Sequence, residues 1–401
     1  MSDTSLSNAS PAAPSMTSPE RRAVAGLAAV ASVRMLGLFM LLPVLALYAD
    51  SLEGATPFLI GVSVGAYGIT QALLQIPFGL ASDRFGRRPV LILGLFVFAL
   101  GGAIAAWGDH IGWVIAGRVV QGAGAVSAVL NALLADLTRD VVRTRAQAIF
   151  GASIGISFML SLMLGPALAA RLGVDGLFVL TCAMALLAAV GVMAKVPATR
   201  PVPRVSTTHW SAVLKDRDLF GLYAGIFTLH LVIAASFVAL PFVLRDRLGI
   251  DPAQHWQLYL GSVTLSILTT VLLIRGIERA TTPTRYVLMA IACLGLAPLG
   301  FIFGGDATAL VFVALVFLFT GINFLEARLP AEVTLSAGAD RRGAALGVYA
   351  TAQFLGVFAG GATAGVLLSF GGANGVFAFS ALMTLIWFGL RLQLNRSATA
   401  Q

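Results

Sequence analysis

Two titratable side chains stand where water is scarce. His230 and Glu326 each interrupt a long apolar run, and their types suit proton transfer. An ionised group near the centre of a bilayer-length segment costs about 2.5–3.5 kcal/mol, so each one kept there needs a reason. Small changes of environment move an imidazole across the physiological range, which makes His230 the leading proton-coupling candidate. Its other reading is a neutral ring hydrogen-bonded between helices. Glu326 is the second candidate carrier, unless a cation such as Arg328 holds it ionised in a static pair. Arg34 and Arg118 also lie inside apolar runs and stay charged under all conditions. The sequence has no H-E-x-x-H or comparable nucleophile, base and metal set, and no G-x-x-x-x-G-K-[ST] phosphate loop. It therefore points away from an enzyme and from ATP as fuel, and it calls for no cofactor and no metal.

A second chemistry-bearing group is the run Gly79-Leu80-Ala81-Ser82-Asp83-Arg84-Phe85-Gly86-Arg87-Arg88-Pro89. Gly86 permits a tight turn, Asp83 is an acceptor, and Arg87 can bridge to a neighbouring acid such as Asp136.

The elements that must carry these groups span a membrane. Hydrophobic residues make up 58% of the chain and charged ones 11%, against about 25% charged in soluble domains. With only Cys182 and Cys293, both in apolar runs, neither a disulfide framework nor a cysteine metal site follows. A bilayer crossing needs about 20 apolar residues, and twelve segments qualify, at roughly 23–47, 57–80, 89–107, 111–135, 146–170, 176–194, 219–244, 256–274, 286–303, 307–335, 343–370 and 372–390. They are continuous apolar runs without period-two alternation, so the expectation is an all-α membrane protein of twelve transmembrane helices and not a barrel.

Six of the 26 lysines and arginines are exceptions to a one-sided distribution. Arg171, Arg245 and Arg247 fall in odd-numbered connections, and Arg34, Arg118 and Arg328 within segments. All the others lie in the two ends and the even-numbered connections, which by the positive-inside rule puts both ends in the cytoplasm. Arg21 and Arg22 are not an export signal, because Arg34 interrupts the apolar stretch behind them. Residues 1–20, rich in Ser, Thr, Ala and Pro, read as a disordered tail, residues 196–218 as a cytoplasmic linker, and residues 393–401 as a short tail.

That linker divides the chain into six-segment halves, 21–195 and 219–392, and a repeat crosses it: Ala135-Asp136-Leu137-Thr138 matches Ala331-Glu332-Val333-Thr334. Repeated halves place a substrate near the midplane between them. The 79–89 run resembles the G-x-x-x-D-R-x-G-R-[RK] loop of the major facilitator superfamily. Arg118-Val119-Val120-Gln121-Gly122-Ala123-Gly124 is similar to that superfamily's R-x-x-Q-G-x-G pattern. Gly151, Gly155, Gly165 and Pro166 partly match its antiporter pattern, which here ends Ala167-Leu168-Ala169-Ala170 in place of x-x-G-G. Arg34-Met35-Leu36-Gly37, Leu42-Pro43-Val44-Leu45, His230 before Phe237-Val238-Ala239-Leu240-Pro241, and Gly347-Val348-Tyr349 before Gln353-Phe354-Leu355-Gly356 resemble the YajR-type branch of proton-coupled drug exporters. The soluble domain that members of that branch can carry after the last helix is not expected in the few residues beyond Leu390.

The resemblance implies a bacterial inner-membrane secondary transporter that exchanges small amphipathic molecules or drugs for protons. A symporter or uniporter for a small nutrient is the alternative. The resemblance also implies a conformational latch at Gly79, Asp83, Arg84, Gly86, Arg87, Arg88 and Asp136, and an Arg118 that binds the backbone of the first helix or bridges to a proton carrier. Polar residues expected to line the cavity are Arg34, Gln71, Gln75, Asn131, Asn323, Tyr349 and Gln353, each of which could equally join helices. The expected partners are a small-molecule substrate, protons and the lipid bilayer, with a monomeric chain. Glycines at 61 and 65 and at 356, 360, 361 and 365 predict close packing of the second and eleventh segments at their external ends. That register would bring Asp83 to residues 343–346 when the cytoplasmic side closes.

Overall fold

The computed structural model describes residues 15–196, 210–278 and 284–399. Their regular structure is helical because backbone groups in hydrocarbon must find hydrogen bonds within their own segment. Helix 1 is Ser18–Met40, continued by Leu45–Asp50 beyond a turn that holds Pro43. Helix 2 is Pro57–Phe85, helix 3 is Arg87–Ala105, and helix 4 is Ile111–Ala123 with Ser127–Asp136 past a break. Helices 5 and 6 share Asp140–Lys195 and divide at Gly173. In the second half, helix 7 is Arg217–Phe242, helix 8 His255–Glu278, helix 9 Thr284–Phe303 and helix 10 Thr308–Ser336. Helices 11 and 12 share Gly338–Thr399 and divide at Gly372.

Gly173 and Gly372 have φ of 71° and 58°, a region that favours glycine, and there the chain doubles back. Val142, Ala146 and Phe150 of helix 5 accordingly share one apolar cluster with Ala188, Ala189 and Val192 of helix 6. The two long runs thus supply four crossings, and the twelve expected helices are present in two halves of six.

The helix-4 segment, expected to run unbroken from 111 to 135, is interrupted at residues 124–126. Three boundaries also shift. The expected tail 1–20 gives way to helix at Ser18, since Thr17 and Glu20 form a capping box and Pro19 suits the first turn. Glu20 also holds Arg139 at 2.8 Å; residues 1–14 of that tail lie outside the described residues. Of the expected linker, 197–209 lies outside the described residues, Trp210–Lys215 is helical, and helix 7 already starts at Arg217 because Asp216 caps the backbone N–H groups of Asp218 and Leu219. The expected tail 393–401 is helix 12 as far as Thr399.

Both described chain ends lie on one face, called here the terminal face. The starts of helices 1 and 7 are clasped to the connections after helices 4 and 10, by Glu20–Arg139 and by Asp216–Arg341 at 3.3 Å. On the far face the halves meet. Asp50 lies 3.7 Å from Arg245, and helix 2 packs on helix 11 through glycines. A β-carbon at Gly61 would sit 2.2 Å from the Gly361 carbonyl oxygen, and one at Gly361 2.8 Å from the Gly65 nitrogen, so only hydrogen fits between these backbones. Toward the midplane the same seam ends at Tyr67 against Phe354, ring centroids 6.3 Å apart.

Candidate functional site

Helix 7 is the most enclosed of the crossings, with a spanning window 83% buried, and it points His230 at helices 10 and 11. Nδ1 of His230 lies 3.2 Å from the Ile226 carbonyl oxygen one turn back. A carbonyl only accepts, so Nδ1 carries a hydrogen and Nε2 is the position free to gain or lose one. Nε2 sits 2.8 Å from the Gln353 side-chain nitrogen and 3.1 Å from Oε1 of Glu326. The Gln353 amide nitrogen only donates, so Nε2 presents its lone pair to it, and a carboxylate oxygen 3.1 Å from that lone pair is repelled unless one proton lies between the two atoms. Glu326 is 37% exposed on its side chain while His230 is 12% exposed, so the carboxylate is the more accessible of the two groups. Arg328, the cation expected to compete for Glu326, instead donates to Glu332 at 2.9 Å, because a spacing of four places those two on one helix face. Glu332 also takes Arg391 of helix 12 at 2.5 Å.

Among the described residues, the two intramembrane arginines of the first half face no acid. Arg34 is 1% exposed and donates to Gln71 at 3.0 Å, Ser127 at 3.3 Å and the Gly124 carbonyl at 3.4 Å, with its guanidinium 5.1 Å from the Phe98 ring centroid. The break in helix 4 matters here, because an interrupted helix leaves carbonyls such as that of Gly124 for side-chain donors. Arg118 departs from its expected partner. It reaches the Val64 carbonyl of helix 2 at 3.5 Å, not helix 1, donates to Gln121 at 3.0 Å, and lies 4.4 Å from the Tyr67 ring centroid. Helices 2 and 3 pack against its segment of helix 4, and the aromatic face compensates part of its charge.

The cavity residues expected from sequence separate into two kinds. Gln71 and Gln75 are 0% and 3% exposed and belong with Arg34 to a closed network, so these three do not face open space here. Asn131 is exposed and bonds back to Ser127 at 3.1 Å. Asn323 donates to Ser266 of helix 8 at 3.1 Å, one turn from Glu326. The buried Tyr349 hydroxyl has no hydrogen-bond partner among the described residues and sits one turn from Gln353. Tyr67 and Phe354 lie between the two polar groups: Phe354 follows Gln353 in the chain, and Tyr67 precedes Gln71 by one turn of helix 2.

At the terminal face, Gly86 turns the chain with φ 96° between helices 2 and 3. Arg87 is largely buried and lies 2.6 Å from Asp83, 3.1 Å from Asp136 and 2.6 Å from the Ser82 hydroxyl. Arg84 extends outward over its neighbour Phe85, and Arg88 donates to the Met193 carbonyl of helix 6. The expected Asp83 contact with residues 343–346 belongs to a terminal face that is closed; here the halves are clasped on the far face, and Asp83 pairs with Arg87.

Two six-helix halves that meet on one face, with polar groups held inside the apolar crossings, are the architecture of a membrane transporter. The chain belongs to the Major Facilitator Superfamily, whose family model matches residues 27–329. It is 40% identical over 387 residues to the inner membrane transport protein YajR of Escherichia coli (strain K12), covering 93% of this chain and 83% of that one. It is 26% identical over 376 residues to multidrug resistance protein 2 of Bacillus subtilis (strain 168), covering 90% and 92%. Its fold is shared with the crystal structure of the POT family transporter PepTSo, with a TM-score of 0.78 at 13% identity, covering 97% of this chain and 99% of that one. The protein is thus a multi-pass inner-membrane transporter.

Proposed function

We propose that this transporter exports small amphipathic organic molecules in exchange for protons, with its terminal face in the cytoplasm and His230 and Glu326 as the proton carriers. The observation that carries the reading is the 3.1 Å contact between His230 Nε2 and Glu326 Oε1, which holds together only with one proton in it. Losing that proton turns an attraction between helices 7 and 10 into a repulsion, so protonation and helix arrangement are linked. The one-sided lysines and arginines support the orientation. The similarity to a multidrug resistance protein, together with a seam of aromatic and aliphatic residues at Phe354, Tyr67 and Leu38, supports an apolar cargo.

For an uncharged cargo exchanged for one proton the membrane potential is sufficient fuel, whereas a monovalent cation exchanged one for one draws on the pH gradient alone. One charge crossing 100 mV supplies about 2.3 kcal/mol, close to fiftyfold accumulation. The latch residues Gly79, Asp83, Arg84, Gly86, Arg87, Arg88 and Asp136 would alternate with the far-face clasp, each favouring one state. Proteoliposomes loaded with a pH-sensitive dye test the reading. Amphipathic cations such as ethidium, moved against an imposed pH gradient, should drive protons the opposite way. Protons and cargo moving in the same direction would make the chain a symporter.

A further inference from the structure

The polar residues of helix 8 face inward. Its outer side carries Leu260, Leu265, Leu268 and Leu272, 42% to 59% exposed, as a lipid-facing surface should. Its buried side carries His255, Tyr259, Ser262, Ser266 and Thr270, none more than 7% exposed, at the three- and four-residue steps that keep to one helix face. Packing leaves this column incompletely bonded. The Tyr259 and Thr270 hydroxyls have no hydrogen-bond partner among the described residues. Those of Ser262 and Ser266 donate back to Leu258 and Val263 of their own helix, each at 2.7 Å, and keep oxygen lone pairs to accept with. A buried hydroxyl without a partner is costly, and water is the small partner that satisfies it.

The column has two ends. At the far face the His255 ring stands edge-on to Tyr259, centroids 6.5 Å apart, directly after a turn that begins at the exposed Asp251. Its Nε2 lies 3.2 Å from the Ile250 carbonyl oxygen and so carries a hydrogen, which leaves Nδ1 to take up another. At the inner end Ser266 accepts from Asn323 of helix 10 at 3.1 Å, and Asn323 precedes Glu326 by one turn. From His255 to Ser266 the helix rises about 16 Å, half the thickness of a bilayer core. Phe237 of helix 7 packs on Tyr259 at 6.1 Å between centroids, so the column lies within the second half.

We infer that protons reach Glu326 from the far face along this buried side of helix 8, relayed by its hydroxyls and by water held between them, on a route separate from that of the cargo. The inference rests on the proposed role of Glu326 as a proton carrier. Each hydroxyl accepts a proton on a lone pair and passes its own to the next group, so no charge stays on the column and Glu326 gains the proton lost at the far face. In the present state Ser262 and Ser266 give their hydrogens to their own backbone, so the relay runs only as these hydroxyls rotate.

The test uses the full-length chain in lipid nanodiscs and in proteoliposomes. X-ray hydroxyl-radical footprinting marks side chains that touch ordered water, so Tyr259 should be modified far faster than the equally buried Phe301, both 0% exposed. Equal protection of the two would overturn the inference. In proteoliposomes, Tyr259→Phe combined with Ser262→Ala should slow ethidium-driven proton flux about tenfold, the equivalent of one hydrogen bond. Ethidium counterflow at equal pH, which needs no net proton movement, should not change. Undiminished proton flux in that variant would overturn the route, as would an equal loss in both assays, the mark of a merely structural defect. Glu326→Gln tells the two readings apart. Full proton coupling there removes the carrier assignment, whereas full coupling in the helix 8 variant with none in Glu326→Gln removes the route alone.

Discussion

His230 on helix 7 and Glu326 on helix 10 lie 3.1 Å apart with Gln353 of helix 11 at 2.8 Å from the same ring nitrogen. Three helices of one half therefore converge on a single titratable atom. Glu326→Gln keeps the shape but cannot lose a proton, so proton-coupled flux should fall at least about tenfold while cargo still raises the melting temperature. His230→Ala should abolish coupling as well. Flux measurements on both, with binding read separately, decide the matter; full coupling in Glu326→Gln would exclude that carboxyl as a carrier.

Arg87 is anchored by two acids and buried, so removing it strands Asp83 and Asp136 beside each other. Arg87→Ala should lower stability by about 3 kcal/mol and impair transport. The double change Arg87→Asp with Asp136→Arg should recover part of the lost stability, measured by thermal denaturation. No recovery would mean that the pair does not act as a pair.

Across the far face, Asp50 and Arg245 join the halves at 3.7 Å and are both partly exposed. Such a pair contributes about 0.2–1 kcal/mol, enough to shift a two-state balance by up to about fivefold. Asp50→Asn should therefore favour the state open on the far face. Spin-label distances between the halves should lengthen on average, and raising the salt concentration should mimic the change.

Packing at the glycine seam allows less tolerance. Gly61→Ala would drive a β-carbon to 2.2 Å from the Gly361 carbonyl, whereas Gly155→Ala meets nothing within 4 Å. Only the first should pry helix 2 from helix 11. Ser63→Cys, at a position 0% exposed here, should become reactive to an impermeant maleimide in the Gly61→Ala background and stay protected in the Gly155→Ala one.

Much of this architecture could be read from residue types alone, because a bilayer imposes one length and one polarity on every crossing. The glycine faces of helices 2 and 11 were legible for the same reason: small residues repeat on one face where backbones touch. His230 and Glu326 were visible singly as charges in apolar runs. Their meeting was not, since it depends on how helices 7 and 10 turn about their axes, and neither periodicity nor spacing fixes that. The partner of Arg118 was missed likewise, as a guanidinium reaches several neighbours and only packing selects Val64 of helix 2. The break at residues 124–126 has a signal in Gly122 and Gly124, but apolar continuity across it conceals the interruption. The capping box at Thr17 and Glu20 was present as T-x-x-E in a polar tail, where composition outweighed it.

The central claim, that one proton shared by His230 and Glu326 ties helix 10 to helix 7, whose far end runs into the turn carrying Arg245 of the far-face clasp, is tested most directly without any cargo. Spin labels replace Asp109 and Asp306, exposed residues in far-face connections of the two halves, after Cys182 and Cys293 are changed to serine. The distance between the labels is then followed by electron double resonance as pH rises. Deprotonation removes the contact that joins helices 7 and 10, so the far-face clasp should loosen and the distance distribution lengthen in a single-proton transition. In Glu326→Gln that transition should be absent. The same pH-dependent lengthening in Glu326→Gln and in His230→Ala would contradict the account.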